Sequence, residues 1–557
     1  MKFIKIKNGV AALTLGCLLF SCQDLTEIDK NPNSPEDVSS NYIMTYVLSN
    51  TGKTIFSLGR DGSKIGAAMQ YMQAGTNEGA AVINQYAWTQ ESWNGYYEIL
   101  RNNQLIYEKG VKENNRFFQA IALTMRSVVF GLLTDLYGDI PYTESLKASS
   151  GLFFPKYDEQ AAVYKGIMID LKQAVTLLNS LESKDAVNPT SDILYKGDGT
   201  KWRKLANSLR LRYALRLADK RSEMSAIGVN IQTEFTEAAA DAFASNSDDA
   251  SMAFVGASAD NSAPGGPLNS PNPNYLLKPG QPFVSKLIAL NDPRLQRWVQ
   301  PVQRKWDTKV TKETTVTVKN IYGESYSVVY VPATAANVDT SLYVGLPVGL
   351  PITQAVAYNK GNDATAYHNE RNPYISFLHE RYRKNTDTYV TMNLMTYSEV
   401  EFILAEAALA GNFGATDAEG HYKKAIRASM DKAGVFTAAY DFDKYYAQTT
   451  VSYAAATNKL ERIMEQKWLS SWFGIESWFD WRRTGFPALK AGEVAQYGKV
   501  LPIRYMYPVP NQDPSYLTNY NSAVERLGTT NYIPAGQSKD HPYAKMWLIQ
   551  GTSKPWN

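Results

Sequence analysis

Aromatic rings set beside amides are the side chains in this sequence whose types and spacing could do chemistry. The chain of 557 residues holds 36 Tyr and 11 Trp, more than core filling alone asks for. Both side chains offer flat, rigid contact area at low entropic cost. Asn84, Tyr86 and Trp88 stand together, Tyr275 follows in a Pro/Asn-rich loop, Trp298 and Trp306 come next, and Tyr343 and Tyr367 lie in long loops beyond. These are the candidate ligand-binding residues. A ring face beside Asn or Gln suits a sugar, whose C–H face is apolar and whose edge is polar; the same parts would hold a cation or stack a peptide. For any one of them, packing in a half-buried position explains the residue equally well.

Catalytic patterns are missing. There is no His-Glu-x-x-His, no Gly-x-Ser-x-Gly and no phosphate loop. The four histidines, His368, His379, His421 and His541, show no metal-ligand spacing, and His379-Glu380 runs into Arg381-Tyr382-Arg383. Asp135 and Asp139 flank a helix end at Gly138, where local hydrogen bonding accounts for them. The expectation is therefore no enzyme, no catalytic residue, no metal and no cofactor, and no Asp-rich calcium loop is legible. A carboxylate pair for glycoside hydrolysis leaves no motif, so a glycan hydrolase stays open as the alternative.

The first residues decide where the others end up. Lys2, Lys5 and Lys7 precede an apolar run from Val10 to Phe20, the charged and apolar regions of an export signal. Its eleven residues are too few to span a bilayer. Leu19-Phe20-Ser21-Cys22, with Leu three places before Cys and a small residue just ahead of it, looks like the lipobox of bacterial lipoproteins. Cys22 would carry a thioether-linked diacylglycerol, and acyl chains anchor without spanning. Cys17 has Thr14 at the equivalent position and fits less well.

Without residues 1–21 the chain has 54 basic and 54 acidic residues. Neutrality with no basic cluster argues against a nucleic-acid partner. The two cysteines both precede the folded body, so no disulfide forms there. The expected organisation is a signal at 1–21, a lipidated tether at 22–36 and a single domain at 37–557. Within the domain, a helical scaffold covers about 37–245 and 395–485, a loop-rich insert 246–394, and a loop-rich C-terminal part 486–557.

Three-to-four spacing predicts helices through Trp93–Tyr107, Phe118–Leu136, Asp158–Asn179 and Trp202–Leu217. Ser34-Pro35 followed by Glu36-Asp37 reads as a helix start. Residues 264–282 are too rich in Pro, Gly and Asn for regular structure. Thr314–Lys319 and Tyr326–Val331 alternate around Gly323 and read as a hairpin. Helices return at Tyr397–Ala410, Asp417–Ala433 and Asn458–Phe473. Successive helix pairs suggest stacked hairpins, although no repeat consensus is legible.

Six blocks, in this order, resemble the SusD/RagB family of nutrient-binding outer-membrane lipoproteins of Bacteroidetes. They are Trp93-Asn94-Gly95-Tyr96-Tyr97 with Asn102-Asn103; Asp135-Leu136-Tyr137-Gly138-Asp139-Ile140-Pro141-Tyr142; Lys201-Trp202 with Ala206-Asn207-Ser208-Leu209-Arg210-Leu211-Arg212; Asn291-Asp292-Pro293-Arg294-Leu295; Glu399-Val400-Glu401-Phe402-Ile403-Leu404-Ala405-Glu406-Ala407; and Gln466-Lys467-Trp468 with Trp481-Arg482-Arg483-Thr484-Gly485. The Asn-Asp-Pro-Arg-Leu block is similar to the SusD-like branch. Pro502-Ile503-Arg504 and Tyr507-Pro508 fit as well, but Val509-Pro510-Asn511 stands where an acidic residue is expected.

The resemblance implies a mostly α fold built on tetratricopeptide-like hairpins, with inserted loops as the ligand face beside the Trp93 helix and a small β-hairpin. It also implies a partner, a SusC-like TonB-dependent transporter, and a place on the outer membrane facing the exterior. Motif residues are expected to be scaffold: Arg482 and Arg483 pairing with helix carboxylates such as Glu406 or Glu465, and Trp468, Trp472, Trp478 and Trp481 in the core. The reading is capture of an oligomeric nutrient, glycan rather than peptide, and its delivery to the transporter. The alternatives are a lipid-anchored glycoside hydrolase and a structural lid with negligible affinity of its own.

Overall fold

The computed structural model describes residues 38–74, 85–269, 277–333, 336–367, 371–436, 440–510 and 512–556. The export signal, Cys22, the tether and the Ser34 helix start lie outside the described residues, as do Asn84 and Tyr275.

The fold is mostly α. Helix α1 (Ser40–Arg60) starts at Ser39, whose hydroxyl accepts from the Asn41 N–H. It buries Ile43, Met44, Val47, Leu48, Ile55 and Phe56 at helical spacing. Helices α2 (Asn94–Lys112), α3 (Arg116–Tyr137), α4 (Gln160–Leu178), α5 (Gly199–Arg216) and α6 (Ile231–Ala239) each pack on the one before. Asn115 caps α3, and Gly138 ends it at φ +96°, a conformation that disfavours a side chain. Long and apolar enough to cross a membrane, α3 is instead buried almost all round as the core helix of this stack. The helices predicted over Trp93–Tyr107, Phe118–Leu136, Asp158–Asn179 and Trp202–Leu217 are each present within a few residues of their expected bounds.

A short helix, α7 (Gln281–Ala289), precedes the insert's sheet. Helices α8 (Tyr397–Ala410), α9 (Ala418–Lys432) and α10 (Lys459–Ser470) then form the second helical layer, with α8 packed on both α9 and α5. The segment expected to run to Phe473 stops at Ser470. Phe473 takes φ +62° before Gly474, and Trp478, Trp481, Arg482 and Arg483 sit on a separate helix, α11 (Glu476–Thr484). Helix α12 (Pro514–Glu525) was not expected in the C-terminal part. Asp513 caps it and Pro514 occupies its first turn.

Strands stitch the insert to the helices. β1 (Met72–Ala74) pairs antiparallel with β3 (Leu277–Pro279), which sets Ala74 beside Leu277. β2 (Ala250–Ala253) pairs with β7 (Thr391–Met395), so the insert leaves and returns at one place. The hairpin forms as predicted, β5 (Thr314–Lys319) against β6 (Ser325–Pro332), with Gly323 at φ +80° in the turn. β4 (Arg304–Asp307) adds to it in parallel with β6, which alternation alone could not indicate.

The matching blocks converge on buried ion pairs. Asp135 is bonded by Arg216, which also pairs with Glu476, and Arg212 binds Glu399 at 2.6 Å. Lys467 meets Asp480 at 2.6 Å, and Arg483 bridges Asp480 and Glu406. The expected Arg483–Glu406 pair is thus present, while Glu465 pairs with Lys286 instead. Asp292 and Arg294 of the Asn-Asp-Pro-Arg-Leu block are both fully buried, 2.6 Å apart, and tied to Ser429 and Gln466. Trp468, Trp472, Trp478 and Trp481 are core side chains.

Candidate functional site

The side of α1 away from its core carries Asn50, Lys53, Thr54, Ser57 and Leu58 at three-to-four spacing, with Asp61 just past its end. A loop over residues 259–269 faces it, and Tyr96 in the first turn of α2 lines the same space. Together they line an open groove of about 610 Å³, within the size range of ligand sites.

The loop is held from behind. Val255 and Gly256 N–H donate to the Asn261 carbonyl, and Ser258 and Asn261 cap each other around a 3-10 turn. The Ala263 N–H reaches the Asn385 carbonyl at 2.7 Å, and the Leu268 N–H reaches its side-chain oxygen at 2.9 Å. Lys53 donates across the groove to the Asp260 carbonyl. These bonds fix the wall opposite α1 before any ligand arrives, which lowers the ordering cost of binding.

The amide nitrogens in the groove are committed. Asn50 Nδ2 donates to the Tyr46 carbonyl at 2.9 Å, and Asn269 Nδ2 to the Ser262 and Ala263 carbonyls at 3.1 Å. Both amide oxygens remain unspent among the described residues, and so do the hydroxyls of Thr54 and Ser57. Asp61 accepts from Ser63 and Lys64 through Oδ1. Burial pushes the Tyr96 phenol up, so it stays a neutral donor beside its half-buried ring. Hydroxyls, acceptor oxygens and one ring face are chemically suited to a polyol, the polar groups to its edge and the ring to its C–H face.

The residues expected from sequence fall elsewhere. Tyr86 is fully buried at φ +54°, and its hydroxyl has no partner among the described residues. Trp88 is buried, donates to the Ser63 carbonyl at 3.1 Å and packs on Trp478 and Tyr505. Trp298 stacks with Phe283 and Trp472, and donates to the Tyr389 hydroxyl at 2.6 Å. Trp306 stacks on Tyr374 with centroids 4.7 Å apart and donates to the Asn359 carbonyl. For the three tryptophans, neighbouring rings and a carbonyl or hydroxyl take up the contacts that a platform would offer a ligand.

Tyr343 and Tyr367 are half-buried. Tyr367 lies edge-on to Tyr374 and donates to Asp363 at 3.1 Å. Burial would raise the Asp363 carboxyl, but hydrogen bonds from Thr365, Tyr374 and Tyr367 outweigh it and hold it down at about 2. Of the described candidates only Trp306 and Tyr367 are brought together, through Tyr374. The groove residues Asn50, Thr54, Ser57, Tyr96 and Asn269 are not among the candidates read from sequence. Polar residues on one side of an amphipathic helix read as a solvated face, and Tyr96 counted as part of an apolar stripe.

A family model for SusD-like proteins, described as starch-binding and associating with the outer membrane, matches residues 32–508. A crystal structure of a SusD homolog from Bacteroides fragilis is 25% identical, with a TM-score of 0.65 over 92% of this chain and 99% of its own. A second SusD homolog from the same species is 22% identical, with a TM-score of 0.70 over 92% and 100%. A chitin-binding protein is 23% identical, with a TM-score of 0.67 over the same shares. The last two are likenesses of fold. No curated protein matches the chain.

Proposed function

The chain belongs to the SusD/RagB family, and on that premise we propose that it is an outer-membrane nutrient-binding protein that captures an oligomeric glycan in the groove along α1. The observation that carries this reading is the groove itself: hydroxyls, unspent amide oxygens and the Tyr96 ring on walls fixed in advance. Tyr343 and Tyr367, the half-exposed members of the aromatic set, are further proposed contacts. The ligand passes unaltered to a SusC-like TonB-dependent transporter. Diacylglycerol on Cys22 holds the protein at the membrane, facing outward.

Calorimetry of the soluble chain against malto-oligosaccharides, chito-oligosaccharides and peptides tests the proposal. One glycan class should bind, Tyr96→Ala should weaken it about tenfold, as loss of a ring contact does at a binding hot spot, and chromatography should recover the sugar intact. Affinity indifferent to Tyr96→Ala and Asn50→Ala would overturn the groove assignment. Shortened sugar products would favour the hydrolase, and a folded protein that binds nothing would favour the structural lid.

A further inference from the structure

A second cavity, of about 220 Å³, shares no lining residue with the groove. Asp139 and Glu159 enter it from the junction of α3 and α4, Arg526 from the end of α12, and Met546, Trp547 and Gln550 from a 3-10 turn near the C-terminus. Most of the polar atoms around it are committed. Arg526 donates to Asp139, to Ser522 Oγ at 2.9 Å and to the Tyr157 carbonyl at 3.0 Å. Gln550 Nε2 donates to the Arg526 and Lys545 carbonyls at 2.8 and 2.9 Å, which leaves its Oε1.

Three groups are left over. Trp547 is half-buried, and its indole N–H makes no hydrogen bond among the described residues. Glu159 is exposed and has no ion-pair partner among the described residues. Gln550 Oε1 is the third. A ring face with a free N–H, a carboxylate and an amide oxygen around one small cavity matches the donors and acceptors of a sugar ring.

We infer that this cavity is a second carbohydrate subsite, which takes one neutral pyranose ring against the Trp547 indole. The ring's hydroxyls donate to Glu159 and Gln550 Oε1 and accept from the indole N–H. Most of the charge around the cavity is already answered: Arg526 on the wall pairs with Asp139, and Lys220, 5.1 Å from the Trp547 ring centroid, pairs with Glu223, which leaves Glu159 to repel an anion. The volume is below the roughly 300–1,000 Å³ of sites for larger ligands, so a single ring fits and an oligomer does not. This site does not depend on the groove.

Saturation-transfer NMR on the purified protein with glucose, galactose, xylose and N-acetylglucosamine, each tested alone, reads the site directly. At least one sugar should give a signal that Trp547→Ala removes, that Glu159→Ala weakens severalfold, and that Tyr96→Ala, in the groove, leaves in place. Trp547→Phe keeps a ring at the position and should retain part of the signal, which guards against a folding defect in the alanine variant. No signal from any of the four sugars, or a signal indifferent to both Trp547→Ala and Glu159→Ala, would overturn the inference. A signal lost with Tyr96→Ala alone would place the sugar in the groove and overturn it equally.

Discussion

Replacing Asp135 by Ala removes a carboxylate that is 1% exposed and that three side chains depend on. Arg216 bonds its Oδ2, the Tyr164 hydroxyl donates to Oδ1 at 2.6 Å, and Arg482 Nη2 lies 3.8 Å from the same oxygen. Arg216 keeps Glu476 after the change. Arg482 does not fare as well: its Nε and Nη2 already lack hydrogen-bond partners among the described residues, and its Nη1 reaches only carbonyls and the Met546 sulfur. The substitution therefore leaves a buried guanidinium with no facing carboxylate, and breaking one side of such a pair costs about 3–5 kcal/mol.

Unfolding entropy is about 2.1 cal/mol/K per residue near 60 °C, which gives about 1 kcal/mol/K for a chain of this size. The loss should then lower Tm by about 3–5 °C in a single cooperative transition, with a matching drop in the urea midpoint. Asp135→Asn keeps the shape and an oxygen for Tyr164 but not the charge, and should fall between wild type and Asp135→Ala. A cost below about 1 kcal/mol for Asp135→Ala, the range of exposed pairs, would refute the claim that this motif carboxylate holds the helical layers together.

Gly59→Ala places a Cβ 2.1 Å from the Phe473 carbonyl oxygen and 2.6 Å from its carbon. Phe473 is already at φ +62° and cannot retreat cheaply, so urea unfolding should show a loss of about 1–3 kcal/mol. Gly95→Ala, whose added Cβ meets nothing within 4 Å, is the control and should be neutral or slightly stabilising on a helix. Burial, and then the neighbouring Arg381, hold the His379 imidazole below its usual range. Between that value and 6.5 the unfolded chain binds a proton that the folded chain refuses, so stability falls as pH drops through 6.5. The His379 ring resonance should titrate below 6.5 by NMR while Tyr326 and Glu324 contact it, and titration at or above 6.5 would sink the assignment.

Helix positions were legible because burial imposes a period on sequence. Ile121, Met125, Val128, Leu132 and Leu136 mark the core side of α3, and Gly138 marks its end through a backbone angle few other residues adopt. Partners were not legible in the same way. Arg210, Arg212 and Arg216 on α5 are charged side chains, which ordinarily face solvent, yet they are buried, and Arg212 finds Glu399 across 187 residues of sequence. Helix α12 carried a local signal in Asp513-Pro514, which the Tyr- and Asn-rich residues after it obscured. β4 is four residues long and joins its sheet in parallel, a pairing set by tertiary contacts and not by alternation.

The candidate site was the least legible part, for a related reason. Sequence reasoning looks for rings in loops as binding platforms, but a large ring is also what best fills a gap under a loop. Trp88, Trp298 and Trp306 each took that second role, and each satisfied its indole N–H with a neighbouring oxygen. A groove that binds a polyol needs the opposite economy: small polar groups whose atoms stay uncommitted. Thr54 and Ser57 offer hydroxyls, and Asn50 and Asn269 have that property only because the Tyr46, Ser262 and Ala263 carbonyls absorb their amide nitrogens and leave the oxygens free. Whether an amide oxygen is spent depends on a carbonyl from another turn, so no spacing rule records it. Trp547 follows the same logic in reverse: it is half-buried, and its indole N–H has no acceptor among the described residues.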